Sequence, residues 1–189
     1  DVPGNIMSLA MYRHSLPYSL KVIQGPGVQQ QIEVNYIVKM AEVIGIPSEV
    51  LTLGLSPVSP LTFPTHACEA IIEIATNKIP FGPLPCPTAG TTAPFSITGA
   101  VTQQNAEILA AIVIAELIHP GLPIIYCGRL AMMEPKTGLS VWGGVELGLA
   151  SAITVEVGHY YGFPVNVYGF STNSHTLDSQ NGFERGLNA

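Results

Sequence analysis

Few residues in this chain can do polar chemistry, so those that can stand out. Arg129 is one of only seven Lys and Arg residues among 189, and it follows a run, residues 123–127, that reads as a strand. A guanidinium at a strand end suits a substrate carboxylate, which it can grip through paired N–H bonds. An ion pair with nearby Glu134 is the alternative. His175, Asp178 and Gln180 fall together after the last predicted strand. A histidine and a carboxylate there suit proton transfer or a polar contact to substrate, and a structural hydrogen bond fits them equally. Phe63, Phe95, Tyr126 and Trp142 lie in or beside strand ends. Aromatic faces in such places can hold a quaternary ammonium group, with core packing as the plainer role for each ring.

Other chemistries lack their residues. His66 and Cys68 are both metal-ligand types, but on one helix they project about 200° apart, so no metal site is expected. No GxxxxGK[ST] and no GxGxxG after a strand is present, which removes the common phosphate loops. Gly143-Gly144 ahead of a helix is a weak signal for an anion on free amides. His119 ends a helix, where a donor helps the last carbonyls, and His159 reads as packed inside one.

These residues need a frame. Residues 18–24 and 49–55 read as strands, with Gly25-Pro26-Gly27 as a turn between the first strand and a helix over 28–44. In that helix Ile32, Tyr36, Met40 and Val43 share helical spacing, Gly45 sits at a C-cap position and Pro47 acts as a stop. Further helices are expected over 65–77 (Thr65 as N-cap; Ala67, Ile71, Ile74 and Ala75 inward), 98–119 and 145–161, with another beginning near Asp178. Strands are expected over 79–84, 123–127 and 164–170. The resulting β-α-β order implies a parallel sheet with crossover helices. Both a doubly wound sheet and a barrel satisfy it, and the later spacings exceed the roughly 31 residues per unit of a minimal (β/α)8 barrel. The excess lies in residues 85–97 and 128–144. In either architecture ligands bind at the carboxyl ends of strands. That selects residues 56–63, 86–94 (including Thr91), 128–144 and 171–180.

Composition sets the outer limits. Charged residues are 11% and hydrophobic residues 47%, against about 25% charged in an ordinary soluble domain, which excludes a disordered chain. Mean hydropathy is +0.37. Thirteen Asp and Glu outnumber the basic residues for a net charge of −6, so nucleic acid is not an expected partner. Residues 108–118 read as a buried helix, too short and too charged to span a bilayer, and no membrane partner is expected. The start shows no signal-peptide pattern. Three widely spaced cysteines suit a cytoplasmic setting rather than a disulfide framework. Low charge suits a surface largely covered by protein.

Several blocks in order then resemble the trimethylamine methyltransferase family: Ser59-Pro60-Leu61-Thr62, Pro87-Thr88-Ala89-Gly90-Thr91-Thr92-Ala93-Pro94, Asn105-Ala106-Glu107, Pro120-Gly121-Leu122-Pro123, Lys136-Thr137-Gly138, Glu146 and Asp178-Ser179-Gln180. The resemblance spans roughly residues 56–184 and is weak over the first fifty. It implies an α/β fold, a parallel (β/α)8 TIM barrel of which residues 1–189 form a single domain, the central portion of a longer protein. It implies methyl transfer from a methylated amine to the cobalt of a corrinoid (cobalamin) carried by a cognate partner protein, and a homo-oligomer. Archaeal trimethylamine members carry pyrrolysine three residues before the Asp of Asp-x-Gln. His175 stands at that position here, which turns the resemblance toward pyrrolysine-free relatives such as a glycine betaine methyltransferase, and so toward a quaternary amine. On this reading His175, Asp178 and Gln180 line the catalytic pocket, and Arg129, Tyr126, Trp142, Thr91 and Phe63 bind substrate. A barrel lyase or isomerase using His175 and Asp178 as acid and base is the alternative, as is a non-catalytic homologue that binds a betaine.

Overall fold

The computed structural model describes residues 23–42 and 46–189, and of residues 23–26 the backbone alone. They form two compact units, each assembled from separate stretches of chain. One holds the described residues up to Ser56, with Phe63–Pro83 and Ala110–Ile125; the other holds Pro57–Thr62, Leu84–Leu109 and Tyr126–Ala189.

In the first unit, β1 (Ile23–Val28), β2 (Leu51–Leu55) and β3 (Phe81–Pro83) pair in parallel in that order, and Ile124 adds a parallel bridge to Phe81. Leu51, Leu53, Leu55 and Phe81 are all buried to 1% exposure or less, as expected of a parallel sheet covered on its faces. Helix α1 (Gln31–Glu42) follows β1, the single turn α2 (Pro47–Val50) precedes β2, and α3 (Thr65–Thr76) connects β2 to β3. Helices α1 and α3 pack together, and Gln31 donates to Glu73 at 2.8 Å across them.

Several expectations are corrected here. Gly25-Pro26-Gly27 is strand rather than turn, and the β1–β2 register shifts between Gln24 and Gly27. A bulge of this kind tolerates the N–H that Pro26 lacks. The buried face of α1 is Val34, Ile37, Val38 and Ala41, while Ile32 and Tyr36 are exposed. Both stripes have helical spacing. The smaller one lets α1 approach α3, whose own buried face is Ala67, Ala70, Ile71, Ile74 and Ala75. Pro64, not Thr65, is the N-cap of α3. Pro47 lies past the end of α1 at Glu42 and itself starts the next helical turn, in keeping with the preference of proline for first helical positions. The expected strand over residues 18–22, the Gly45 cap and the inward Val43 fall outside the described residues.

In the second unit, β5 (Tyr126–Gly128) pairs in parallel with β8 (Val165–Val167), joined through helix α5 (Val145–Tyr160). The long connections are partly ordered as β4 (Thr88–Ala89), β6 (Ala131–Met133) and β7 (Ser140–Val141), with β4–β6 parallel and β6–β7 antiparallel. Ala89, Ala100, Val101, Leu130 and Ala150 make a core cluster there. Helix α6 (Ser179–Leu187) closes the chain, starting where Asp178 predicted it.

Helix α4 (Ile97–Ile118) has 22 residues, about 33 Å of helix. It begins eleven residues before the apolar run read as residues 108–118, and by length and composition it could cross a membrane. It also carries Gln104 and Glu107, both fully buried. Glu107 accepts from Ser59 Oγ at 2.8 Å, from the Leu61 N–H at 2.9 Å and from Gln103 at 3.0 Å. The bond to Leu61 holds a residue at φ +50°, a region that non-glycine residues seldom occupy. Thus the segment after β2 is fixed to α4 by one buried carboxylate.

Gly128 ends β5 against side chains from two helices. An added Cβ would overlap Thr154 Cγ2 and lie 2.7 Å from Gln104 Nε2. Gly128→Ala is therefore expected to destabilise the protein by about 1–3 kcal/mol, the usual cost of overpacking. Urea unfolding at neutral pH measures it, and an unchanged midpoint would show that the gap is looser than described.

Candidate functional site

The carboxyl ends of β5 and β8 bring a cation, an amide and two aromatic rings together. Arg129 directly follows β5, and Asn166 lies within β8 opposite Cys127. Arg129 Nη1 donates to the carbonyls of Gly128 at 3.1 Å and Asn166 at 3.0 Å, and Nη2 donates to Asn166 Oδ1 at 2.6 Å. The guanidinium carbon stands 4.8 Å from the centre of the Tyr168 ring. Trp142 meets Tyr168 edge-on at 4.9 Å. Asn166 within β8 and Tyr168 just past its end supply the fork that aligns Arg129 and the ring beside it.

A guanidinium has five N–H donors. The bonds above run from Nη1 and Nη2, and none is made by Nε. A guanidinium that keeps unused N–H donors can still grip a carboxylate. None of the bonds of Arg129 among the described residues goes to an acid. Glu134, the alternative partner, instead accepts the Lys136 N–H at 3.1 Å. The positive charge acts locally: burial pushes the Cys127 thiol up to about 11 while Arg129 opposes that rise. Burial likewise raises the Tyr168 phenol, with Arg129 again opposing.

The second set, in residues 171–180, is a clamped loop. Asp178 caps α6: Oδ1 accepts the Asn181 N–H at 2.8 Å, and Oδ2 accepts from Ser174 Oγ at 2.8 Å and Thr176 Oγ1 at 2.9 Å. These donors hold its carboxyl below the usual value, the Asn181 N–H foremost. Glu184 does the same from within α6. It accepts from Thr172 Oγ1 at 2.7 Å, the Asn173 N–H at 2.8 Å and Gln180 Nε2 at 2.8 Å, and its pKa is lowered by those bonds, that of Thr172 first. Asn173 Oδ1 in turn accepts the Trp142 N–H at 2.9 Å. An added Cβ at Gly143 would overlap the Glu184 carboxylate, so the space that suggested an anion site beside Gly143 is filled from within the chain. His175 rides on this loop, exposed, with no hydrogen bond to its ring among the described residues.

The other expected residues lie elsewhere. Tyr126 is fully buried and donates to Asn105 Oδ1 at 2.8 Å; burial raises its pKa. Its ring packs in the core rather than beside Arg129. Thr91 is exposed and donates to the Thr88 carbonyl at 3.2 Å. Phe63 is half-buried at the entry to α3, in the first unit, where its carbonyl faces the Cys68 thiol at 3.9 Å. Sequence reasoning missed Asn166, Tyr168 and Glu184, although a polar residue and a tyrosine alternating with valines in a short strand were a visible signal. Among the described residues no group of three or more His, Cys, Asp or Glu is arranged to hold a metal.

Comparison with known proteins adds the lineage. The family profile described as "Trimethylamine methyltransferase (MTTB)" matches residues 1–188. Trimethylamine methyltransferase MttB of Methanosarcina thermophila is 34% identical over 136 residues, covering 72% of this chain and 28% of that protein. MttB of Desulfitobacterium hafniense (strain DSM 10664 / DCB-2) is 33% identical over 127 residues, covering 67% and 26%. A glycine betaine methyltransferase of Desulfitobacterium hafniense (strain Y51) is 27% identical over 97% of this chain and 40% of its own length. The chain thus spans well under half of each of these relatives.

Because Asp178 titrates below its ordinary value, its bonds stabilise the fold fully above an unfolded pKa of 3.8. That contribution fades as pH falls through the lower folded value. Asp178→Ala is therefore expected to be less stable than the parent at pH 7, with the gap closing as pH drops below about 4. Urea midpoints from pH 7 to pH 2.5 test this, and a gap independent of pH would contradict it.

Proposed function

The chain belongs to the trimethylamine methyltransferase family, and from that premise we propose that the complete protein is a corrinoid-dependent methyltransferase acting on a quaternary amine that bears a carboxylate. Its methyl acceptor is the reduced cobalt of a corrinoid held by a cognate partner protein, which is a second substrate and not a resident group of this chain. The observation that carries the reading is Arg129: a fixed cation at a strand end, bonded to no acid among the described residues, with its Nε–H making no hydrogen bond there. The relative that matches nearly the whole chain is named for a betaine, a zwitterion of that kind.

The chemistry suits these residues. Transfer breaks one N–CH3 bond and forms one Co–CH3 bond, and the nitrogen keeps the electron pair as a neutral amine leaves. No proton is required, so the protein's task is to hold the methyl group in line with its acceptor. Arg129 fixes the carboxylate end, with Asn166 and Tyr168 fixing Arg129. Trp142 and Thr91 complete the substrate surface in this reading. His175 stands on the clamped loop as the residue closest in role to the reacting methyl. Asp178 and Gln180 act beside it by holding that loop, since the Asp178 carboxylate is committed to three donors. The same commitment weighs against the acid–base chemistry of a lyase or isomerase.

The parallel pairings β1–β2–β3 and β5–β8, each with a helical crossover, are what successive staves of a (β/α)8 barrel would provide. We read the chain as a single domain, the central part of such a barrel, in a cytoplasmic homo-oligomer.

Arg129→Ala is expected to lower kcat/KM for glycine betaine by 10-fold to 1,000-fold, about 1.4–4 kcal/mol at the usual conversion. The loss should fall mainly in KM, and Arg129→Lys should recover only part of it because the bidentate edge is gone. Transfer from a donor without a carboxylate should change little. Equal losses for both donors would show that Arg129 holds the fold rather than the substrate.

A further inference from the structure

Between α6 and Arg129 runs an unbroken series of contacts, all within the second unit. It starts at Glu184, whose Oε2 accepts Thr172 Oγ1 at 2.7 Å and the Asn173 N–H at 2.8 Å, while Oε1 accepts Gln180 Nε2 at 2.8 Å. Asn173 passes the constraint on, because its own Oδ1 accepts the Trp142 N–H at 2.9 Å. The Trp142 ring meets Tyr168 edge-on at 4.9 Å, and Tyr168 stands 4.8 Å from the guanidinium carbon of Arg129.

A second observation ties the same segments together without that hydrogen bond. Gly143 is buried, and an added Cβ there would overlap the Glu184 carboxylate and stand 2.9 Å from the Asn173 nitrogen. Only a residue without a side chain lets the backbone beside Trp142 come so close. Residue 142 is thus held by a bond and residue 143 by contact, both against the Asn173–Glu184 pair.

All three donors to Glu184 are uncharged, so its shape as an acceptor does the holding. Glu184→Gln can keep that shape. The new Oε1 takes the two donors of Oε2, and the new amide N–H meets Gln180 once that exposed side chain turns its own amide over. Glu184→Leu keeps most of the volume but offers no acceptor.

We propose that Glu184 is a positioning residue for carboxylate recognition: by holding Asn173 it seats Trp142 against Tyr168, and that seat keeps Arg129 set to grip a substrate carboxylate. The inference rests on the proposed role of Arg129. It deepens that role by assigning part of the selectivity for carboxylated amines to a residue that does not meet the substrate.

Trp142 is the one tryptophan among these 189 residues. The test labels the complete protein with 5-fluorotryptophan and follows the Trp142 signal by 19F NMR, assigned by its loss in Trp142→Phe. Glu184→Leu is expected to move that signal, to weaken glycine betaine at least tenfold by calorimetry and to raise its KM to match, with kcat within threefold of the parent. Glu184→Gln is expected to keep the signal in place and both constants within threefold. Asn173→Ala changes an exposed side chain, keeps the N–H that Glu184 accepts and removes the acceptor of Trp142. It is expected to move the signal and weaken glycine betaine at least threefold. A folded Glu184→Leu that binds glycine betaine like the parent overturns the proposal, as does a Trp142 signal left in place or an equal loss in Glu184→Gln. Where thermal unfolding shows that Glu184→Leu does not fold, unchanged binding or an unmoved signal in Asn173→Ala overturns it instead. Failure of the methyl-transfer reading looks different. A parent that binds glycine betaine with an affinity dependent on Glu184 but methylates no acceptor keeps the positioning role and removes the reaction. Transfer from glycine betaine with its KM untouched in both variants keeps the reaction and removes the role. A parent that binds no glycine betaine overturns both.

Discussion

Arg129 meets Asn166 twice, through the neighbouring strand's backbone carbonyl and through its side-chain amide. The double contact cross-links β5 to β8 just past the end of their ladder and fixes the guanidinium plane. A free arginine side chain carries about 2 kcal/mol of rotamer entropy, most of which would be lost on gripping a ligand. Here that loss is met on folding, so under the proposed reading little further ordering of this side chain accompanies the grip on a carboxylate. Tyr168 adds a ring under the cation, and Trp142 braces the ring. Trp142 is tied through Asn173 to the loop that Glu184 and Asp178 clamp. Strand pairing and loop order in this unit are therefore linked through one fork and one ring.

The low charge of the chain takes on meaning in this setting. With so few ionisable groups, several of the buried or half-buried ones among the described residues have a traceable task. Glu107 secures residues 59–61 to α4, Glu184 secures residues 172–173 to α6, and Arg129 is the cation left with unused donors. The apolar excess is not all interior. Val113, Leu117, Leu149 and Tyr160 on α4 and α5 stay more than half exposed, so these helices are apolar on more than one face.

Long elements were legible from sequence because their period repeats many times. The inward set of α3, Ala67, Ile71, Ile74 and Ala75, is buried as its spacing requires, and Asp178 marks the start of α6. Short or ambiguous elements were not. Strands β4 and β7 have two residues each, too few to show alternation. In α1 two stripes fit one period, and tertiary contact with α3 chose between them. Scarcity and position single out Arg129 in the sequence, but its structural partners Asn166 and Tyr168 lie 37 and 39 residues further on, and no local pattern links them to it. Tyr126 shows the converse. Its place in a strand was legible, yet the face of that strand was not, and its ring turned toward Asn105 in the core.

The most direct measurement is optical. The complete protein, supplied with the corrinoid protein proposed as its partner and with reduced cobalt, is offered trimethylamine, glycine betaine, proline betaine, carnitine and choline in turn. Conversion of cob(I)alamin to methylcobalamin reports the transfer. The account predicts rapid conversion with a carboxylated quaternary amine and none with trimethylamine. Conversion with trimethylamine alone, or no conversion with any of the donors by a folded protein, would contradict it.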